Sequence, residues 1–276
     1  MLAPVIKWPG SKWRLARWIV AQLPPHRFYC EPFFGSGAVL LTKDRSDREY
    51  LNDRSGRVVN LFRVLRDQTE ALCRVIELTP WAREEFETCS AGLEEGDAVE
   101  QARRFLVANW QQVGVEENDG HRRNGWRTSR TSGCPAISWT RLPYRIAVTA
   151  ERLRGVNIEC RPALDVIQRY AYPEMLFYCD PPYPLDSRGG ALYHHEMSDQ
   201  DHRDLLQALR SHPGPVLLSS YHCSLYAEML GDWECREHTA RDQTGEHRQE
   251  ILWCNPVALA LLRDQHPQLA FEEVPG

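Results

Sequence analysis

Two hydrophobic periods alternate along the chain. Short apolar or aromatic runs bounded by turn formers predict strands at Phe28-Tyr29-Cys30, at Glu49-Tyr50-Leu51, and over residues 156–160, 175–179, 215–220 and 250–254. Between them apolar residues recur at helical spacing. Leu15, Trp18, Ile19 and Leu23 follow Ser11, a candidate N-cap, and Val59, Leu61, Phe62 and Leu65 form a second apolar stripe. Ala38-Val39-Leu40-Leu41 predicts a helix after a glycine turn, and Phe105, Leu106, Val107 and Trp110 predict another. Leu205, Leu206 and Leu209 follow Ser198-Asp199-Gln200-Asp201, a capping box with Asp in place of the usual Glu. Strands and helices in alternation predict a doubly wound α/β fold. The pattern changes at about Trp81, and residues 114–143, rich in Gly, Ser, Thr, Asn and Arg, show little apolar periodicity. Residues 81–150 therefore read as an insertion between residues 1–80 and 151–276.

With 276 residues the chain can bury a substantial core, and its net charge of -5 provides no global field for nucleic acid. Any such binding must use a local patch, and the insertion offers one in Arg122, Arg123, Arg127, Arg130, Arg141 and Arg145, with Trp126 and Trp139 among them. Nine cysteines without a CxxC pair argue against a disulfide framework or zinc site and fit a reducing cytoplasm. The ten histidines show no metal-ligand spacing. No apolar stretch approaches the ~20 residues of a membrane span.

Asp180-Pro181-Pro182-Tyr183 follows a predicted strand, at the end of a sheet where α/β folds bind ligands. Proline presets the backbone, so the Asp180 carboxylate and the Pro181 carbonyl can accept both hydrogens of an amino group while Tyr183 stacks on a ring. Upstream, Gly35-Ser36-Gly37 lies between a predicted strand and helix, and Asp53 ends the next strand 18 residues after Gly35. Glycines admit a ligand to the backbone, and an acid at that strand end can hold the hydroxyls of a ribose. Glycine turn, Asp53 and Asp180 in this order describe a nucleoside cofactor beside a site for a ring amino group.

Lys7-Trp8-Pro9-Gly10-Ser11-Lys12, Glu31-Pro32-Phe33-Phe34-Gly35-Ser36-Gly37 and Asp180-Pro181-Pro182-Tyr183 together resemble the Dam-like (D12 class) N6-adenine-specific DNA methyltransferases, especially their prophage-type relatives. The resemblance continues through residues 193–198 and 252–256 and is thinnest over about 114–140. It implies a Rossmann-like methyltransferase fold with S-adenosylmethionine as cofactor, and makes residues 81–150 a DNA target-recognition region. Trp8 and Lys12 would meet the cofactor's methionine end, Pro32, Phe33, Gly35, Ser36 and Gly37 its backbone-facing side, and Asp53 its ribose. Asp180, Pro181, Pro182 and Tyr183 would receive a flipped adenine. One place departs from the pattern. Where relatives often carry an acid that contacts the cofactor's adenine, this chain has Arg161-Pro162-Ala163, and the nearest acid is Asp165. Either Asp165 substitutes from a turn away, or recognition of that adenine is weaker.

The expectation is a site-specific adenine methyltransferase of double-stranded DNA, monomeric, without a metal. Residues 186–190, glycine-containing, would be a flap that orders on DNA. Two alternatives stand beside it: a DNA-binding module of the same fold with impaired transfer, and an amino-methyltransferase for cytosine, RNA or a protein amide. The biological setting stays open between restriction-modification, phage protection and regulation.

Overall fold

The computed structural model describes residues 3–114, 125–128, 133–184, 195–241 and 247–265. Seven strands form one sheet: β1 (Phe28–Glu31), β2 (Arg48–Asn52), β3 (Asn157–Glu159), β4 (Met175–Cys179), β5 (Val216–Ser220), β6 (Glu234–Arg241) and β7 (His247–Cys254). Their order is β3-β2-β1-β4-β5-β7-β6. The first five run parallel, and β7 lies antiparallel between β5 and β6. The direction of winding reverses between β1 and β4, which leaves a crevice at their C-terminal ends.

Successive strand residues face opposite sides. Leu176 and Tyr178 join Tyr29, Leu51 and Leu217 in one apolar cluster, while Met175, Phe177 and Cys179 join Cys30, Val216 and Leu218 in another. Both faces are covered, which is why β4 reads as an unbroken apolar run with no polar alternation.

The helices are α1 (Ala16–Val20), α2 (Gly56–Asp67), α3 (Thr69–Glu77), α4 (Arg83–Ala91), α5 (Ala98–Gln111), α6 (Pro135–Trp139), α7 (Leu142–Leu153), α8 (Ala163–Arg169), α9 (Asp199–Arg210), α10 (Ser224–Met229) and α11 (Pro256–Gln265). Apolar residues of α2, α3, α5 and α7 join the first cluster, and those of α8, α9 and α10 the second. Residues 81–150 thus contribute to the core of the sheet's first face. The capping box closes α9: the Ser198 hydroxyl accepts from the Asp201 N–H at 3.2 Å, and the Asp201 carboxylate accepts from the Ser198 N–H at 2.8 Å.

Three expectations are corrected, and one strand was not foreseen. Residues 38–41 form consecutive turns instead of a helix, because the Leu40 N–H donates to the Glu31 carboxylate at 2.7 Å. Ser11 makes no side-chain cap; a short 3-10 turn at Lys12–Arg14 precedes α1, and the Ser11 hydroxyl meets that of Ser36 at 2.7 Å. Residues 135–153, read as irregular up to Pro143, hold α6 and α7, each with a proline in its first turn, where the missing N–H costs nothing. Finally, β6 escaped the sequence reading, since Glu234-Cys235-Arg236-Glu237-His238-Thr239 has no buried residue and so no apolar alternation.

Candidate active site

One side chain ties the crevice together at its rear. Asn52, at the end of β2, donates to the Pro32 carbonyl at 2.9 Å and the Arg161 carbonyl at 3.0 Å, and accepts from the Arg161 N–H at 2.9 Å. The segments that follow β1, β2 and β3 are thereby held to one another. Asp53 comes next and accepts from the Gly35 and Ser55 N–H groups, each at 2.8 Å. Gly35 has φ of +50°, and a Cβ there would lie 2.7 Å from the Trp8 ring. Gly37, with φ of +67°, packs so closely on the Phe34 ring that a Cβ would collide with it. These contacts explain the glycines by steric need as well as by backbone conformation.

Glu31 closes β1 and is 2% exposed. Its Oε1 accepts from the Tyr29 hydroxyl at 2.8 Å and from the Leu40 N–H at 2.7 Å. Burial pushes its carboxyl up to about 8, against the pull of those two bonds. Sequence reasoning assigned Glu31 no role; its place after an apolar strand, in a segment otherwise of Pro, Phe and Gly, was the available signal.

Across the crevice, the Lys12 ammonium pairs with Asp180 Oδ1 at 2.8 Å, donates to the Gly10 carbonyl at 2.8 Å and lies 4.8 Å above the centre of the Tyr183 ring. Burial raises the Asp180 carboxyl above its ordinary range, and Lys12 and the Tyr183 hydroxyl act against that rise. The Tyr183 hydroxyl donates to Glu250 on β7 at 2.8 Å, and its ring meets the edge of Tyr221 at 4.6 Å between centres and 74° between planes. The Lys12–Asp180 pair spans 168 residues of sequence and could not be read from the motifs singly.

The crevice encloses about 200 Å³. Of the expected residues it brings together Trp8, Lys12, Pro32, Phe33, Gly35, Ser36, Asp53, Asp180 and Pro182 along one lining, joined by Glu31, Arg54, Arg161, His195, Glu196, Met197 and Asp201. Gly37 shapes the loop behind the lining, and Pro181 and Tyr183 are buried beside it. Asp165 is exposed in the first turn of α8 and does not reach the lining, which is formed there by Pro162, Ala163 and Leu164.

Over residues 8–243 the chain matches the sequence profile of the D12 class N6 adenine-specific DNA methyltransferases. The chain belongs to that family. It is 27% identical over 246 residues to a DNA adenine methylase of Salmonella typhi, covering 81% of this chain and 82% of that protein. The DNA adenine methylase of Serratia marcescens is 26% identical over 253 residues, with 83% and 85% covered. That of Escherichia coli K12 is 26% identical over 246 residues, with 81% and 82% covered. As a D12-class methyltransferase the protein transfers a methyl group to adenine in DNA, and its mostly parallel seven-stranded sheet is consistent with the Rossmann-like fold expected.

The arginines singled out for DNA are distributed unevenly in this methyltransferase. Arg141 is exposed at the start of α7. Arg127 is half-buried, and its N–H donates to the Gln111 carbonyl at 2.6 Å. Arg145 packs over the Trp110 ring at 5.2 Å and donates to the Pro4 carbonyl at 3.2 Å. Near them Lys7 donates to the Trp110 carbonyl at 2.9 Å; burial, then Arg127 and Arg145, bring its ammonium down to about 7. Trp126 bonds Gln111 at 3.2 Å, whereas Trp139 is a core residue whose indole donates to the Thr79 carbonyl at 2.9 Å. Arg122, Arg123, Arg130 and the glycine-containing stretch 186–190 lie outside the described residues. Among the described residues no helix is long and apolar enough to cross a membrane.

Proposed function

We propose that the protein takes its methyl group from S-adenosylmethionine and delivers it to the exocyclic amino group of an adenine flipped out of double-stranded DNA. The observation that carries this reading is the juxtaposition, in one crevice, of Asp53 and the glycine loop with Asp180. The residues fit the cofactor in kind. Asp53, oriented by two N–H bonds, is an acceptor of the kind that binds ribose hydroxyls. Trp8, Phe33, Leu164 and Met197 supply apolar walls, and Glu31 and Lys12 supply groups for an amine and a carboxylate. When bound, the cofactor supplies an electrophilic methyl group on a sulfonium.

This chain's residues do the rest by orientation and electrostatics. Asp180 and the Pro181 carbonyl accept the two amino hydrogens of adenine, which localises the nitrogen lone pair for attack. The Asp180 side chain is only 20% exposed, too recessed for a base stacked in a duplex, so the base must leave the stack at a cost of a few kcal/mol. Stacking against Tyr183 offsets part of that, at roughly 1–3 kcal/mol per base. Nine unpaired cysteines support a reducing, cytoplasmic setting.

The test is transfer of labelled methyl from S-adenosylmethionine to duplex DNA of mixed sequence, followed by digestion to nucleosides. Label in N6-methyladenine is expected; label in cytosine, or none, overturns the reading. A second reading, the same fold with slow transfer, draws on the absence of Asp165 from the lining. Calorimetric titration with S-adenosylmethionine separates the two, and Asp53→Ala should weaken that binding by about tenfold or more. An Asp53→Ala affinity equal to wild type would remove the ribose assignment.

A further inference from the structure

The crevice lining follows four strand ends in spatial order: Asp180 after β4, Glu31 on β1, Asp53 after β2 and Arg161-Pro162 after β3. Neighbouring strands lie about 4.8 Å apart, so three steps carry this row across about 14 Å. On the reading proposed above, the methyl group is delivered at the β4 end and the ribose sits at Asp53. The cofactor's own purine then falls at the β3 end, against the first turns of α8 and α9. Phe33, Leu164, Met197 and Leu205 line the crevice and belong to one apolar cluster, which suits the two faces of a purine.

The amino edge of that purine requires an acceptor. The segment after β3 offers no accepting side chain: Arg161 is a donor, paired with Glu159 at 3.1 Å, and Pro162, Ala163 and Leu164 are apolar. An acid enters the lining from α9 instead. Asp201 and Leu205 are four residues apart, share one face of that helix and both line the crevice. Leu205 is 1% exposed and anchors this face in the core, where α9 packs on α8. The capping box holds Asp201 in place, since its Oδ2 accepts from the Ser198 N–H at 2.8 Å and from the Ser198 hydroxyl at 2.6 Å. Its Oδ1 takes no part in that cap. We infer that Asp201 accepts a hydrogen from the 6-amino group of the cofactor's purine, so that the choice of adenine is made from α9 and not from the segment after β3. One carboxylate then closes a helix with one oxygen and reads a base with the other.

The experiment is calorimetric titration with S-adenosyl-L-homocysteine, the product of the proposed transfer, and with its analogue carrying hydrogen in place of the 6-amino group. Wild type, Asp201→Asn, Ser198→Ala and Glu196→Gln are compared, with melting temperature measured alongside. Wild type should hold the amino compound at least about tenfold more tightly, as expected for a hydrogen bond to a charged acceptor. In Asp201→Asn the amide oxygen keeps the cap and its NH2 faces the purine, so the ratio should fall to within about twofold of parity. Ser198→Ala loosens the helix start but keeps the carboxylate, and should lower the melting temperature while the ratio stays near wild type. Glu196→Gln alters the neighbouring acid of the lining and should leave the ratio unchanged. Parity in the wild type, a wild-type ratio in Asp201→Asn, or an equal loss in Ser198→Ala or Glu196→Gln would each overturn the inference. A wild type that binds neither compound would instead overturn the proposed cofactor and is scored separately.

Discussion

Two buried glutamates sit at opposite ends of the same sheet and meet opposite fates. Glu49, near the start of β2, is 3% exposed; Glu31, at the end of β1, is 2% exposed. Burial works to raise both carboxyls. At Glu49 the Arg152 guanidinium and the Lys43 ammonium, at 2.8 and 2.7 Å, overcome it and hold the group below its ordinary range. Glu31 has two neutral donors, while Lys43 and Asp180 act on it with opposite sign, and it rises to about 8. Equal burial with different partners yields a locked ion cluster at one end and an acid held only by neutral donors at the other. The lower end of the sheet is built for stability, and at the crevice end Lys12 is spent on Asp180 while Glu31 is held by neutral donors.

The sharpest way to break this division is at Asp180. Asp180→Ala should reduce transfer by about a thousandfold, the upper end of what one oriented polar group contributes, and still give a cooperative melt. A variant that unfolds instead would make Asp180 part of the framework. Glu49→Ala should do the reverse. Leaving Lys43 and Arg152 buried without their acid should cost about 3–5 kcal/mol, seen as a fall in Tm of about 6–15 °C, with unchanged transfer per folded molecule.

Glu31 tests the comparison through pH. Its folded pKa of about 8 lies above the unfolded value near 4.5, so the folded state binds the extra proton between them. The resulting stability is complete below about pH 4.5 and is lost as pH rises through about 8. Relative to Glu31→Gln, which cannot ionise, wild type should lose about 2–4 kcal/mol between pH 5.5 and 8.5 in urea denaturation. Equal slopes would mean that Glu31 is ionised throughout. The smallest effect belongs to the exposed rim. Arg141→Ala should weaken DNA binding equally across sequences and reduce the salt slope of log affinity by about 1.

The sequence yields what is local. β4 was legible because five apolar residues in a row need two covered faces, and the α9 cap because Ser198 and Asp201 are three residues apart. The three motifs that line the crevice were legible as motifs, including Trp8 and Asp180, and Asp53 was legible at the end of its predicted strand. What failed depends on partners far along the chain. Nothing near residues 38–41 warns that Glu31 will take the Leu40 N–H, and nothing near Asp180 names Lys12 or Glu250. β6 was invisible for another reason: its half-buried face carries Glu234, Arg236 and His238, so no apolar period marks it.

The bonds made by Asn52 all end on main-chain atoms: two carbonyls and one N–H. The scaffold behind the crevice is therefore blind to the side chains at positions 32 and 161. Those positions can drift, or be redesigned to favour a different cofactor analogue, without loosening the segments they belong to. Asn52 has no such latitude. Aspartate there would keep the Arg161 N–H but forfeit both donors, and the segment after β1 would lose its tie through this side chain.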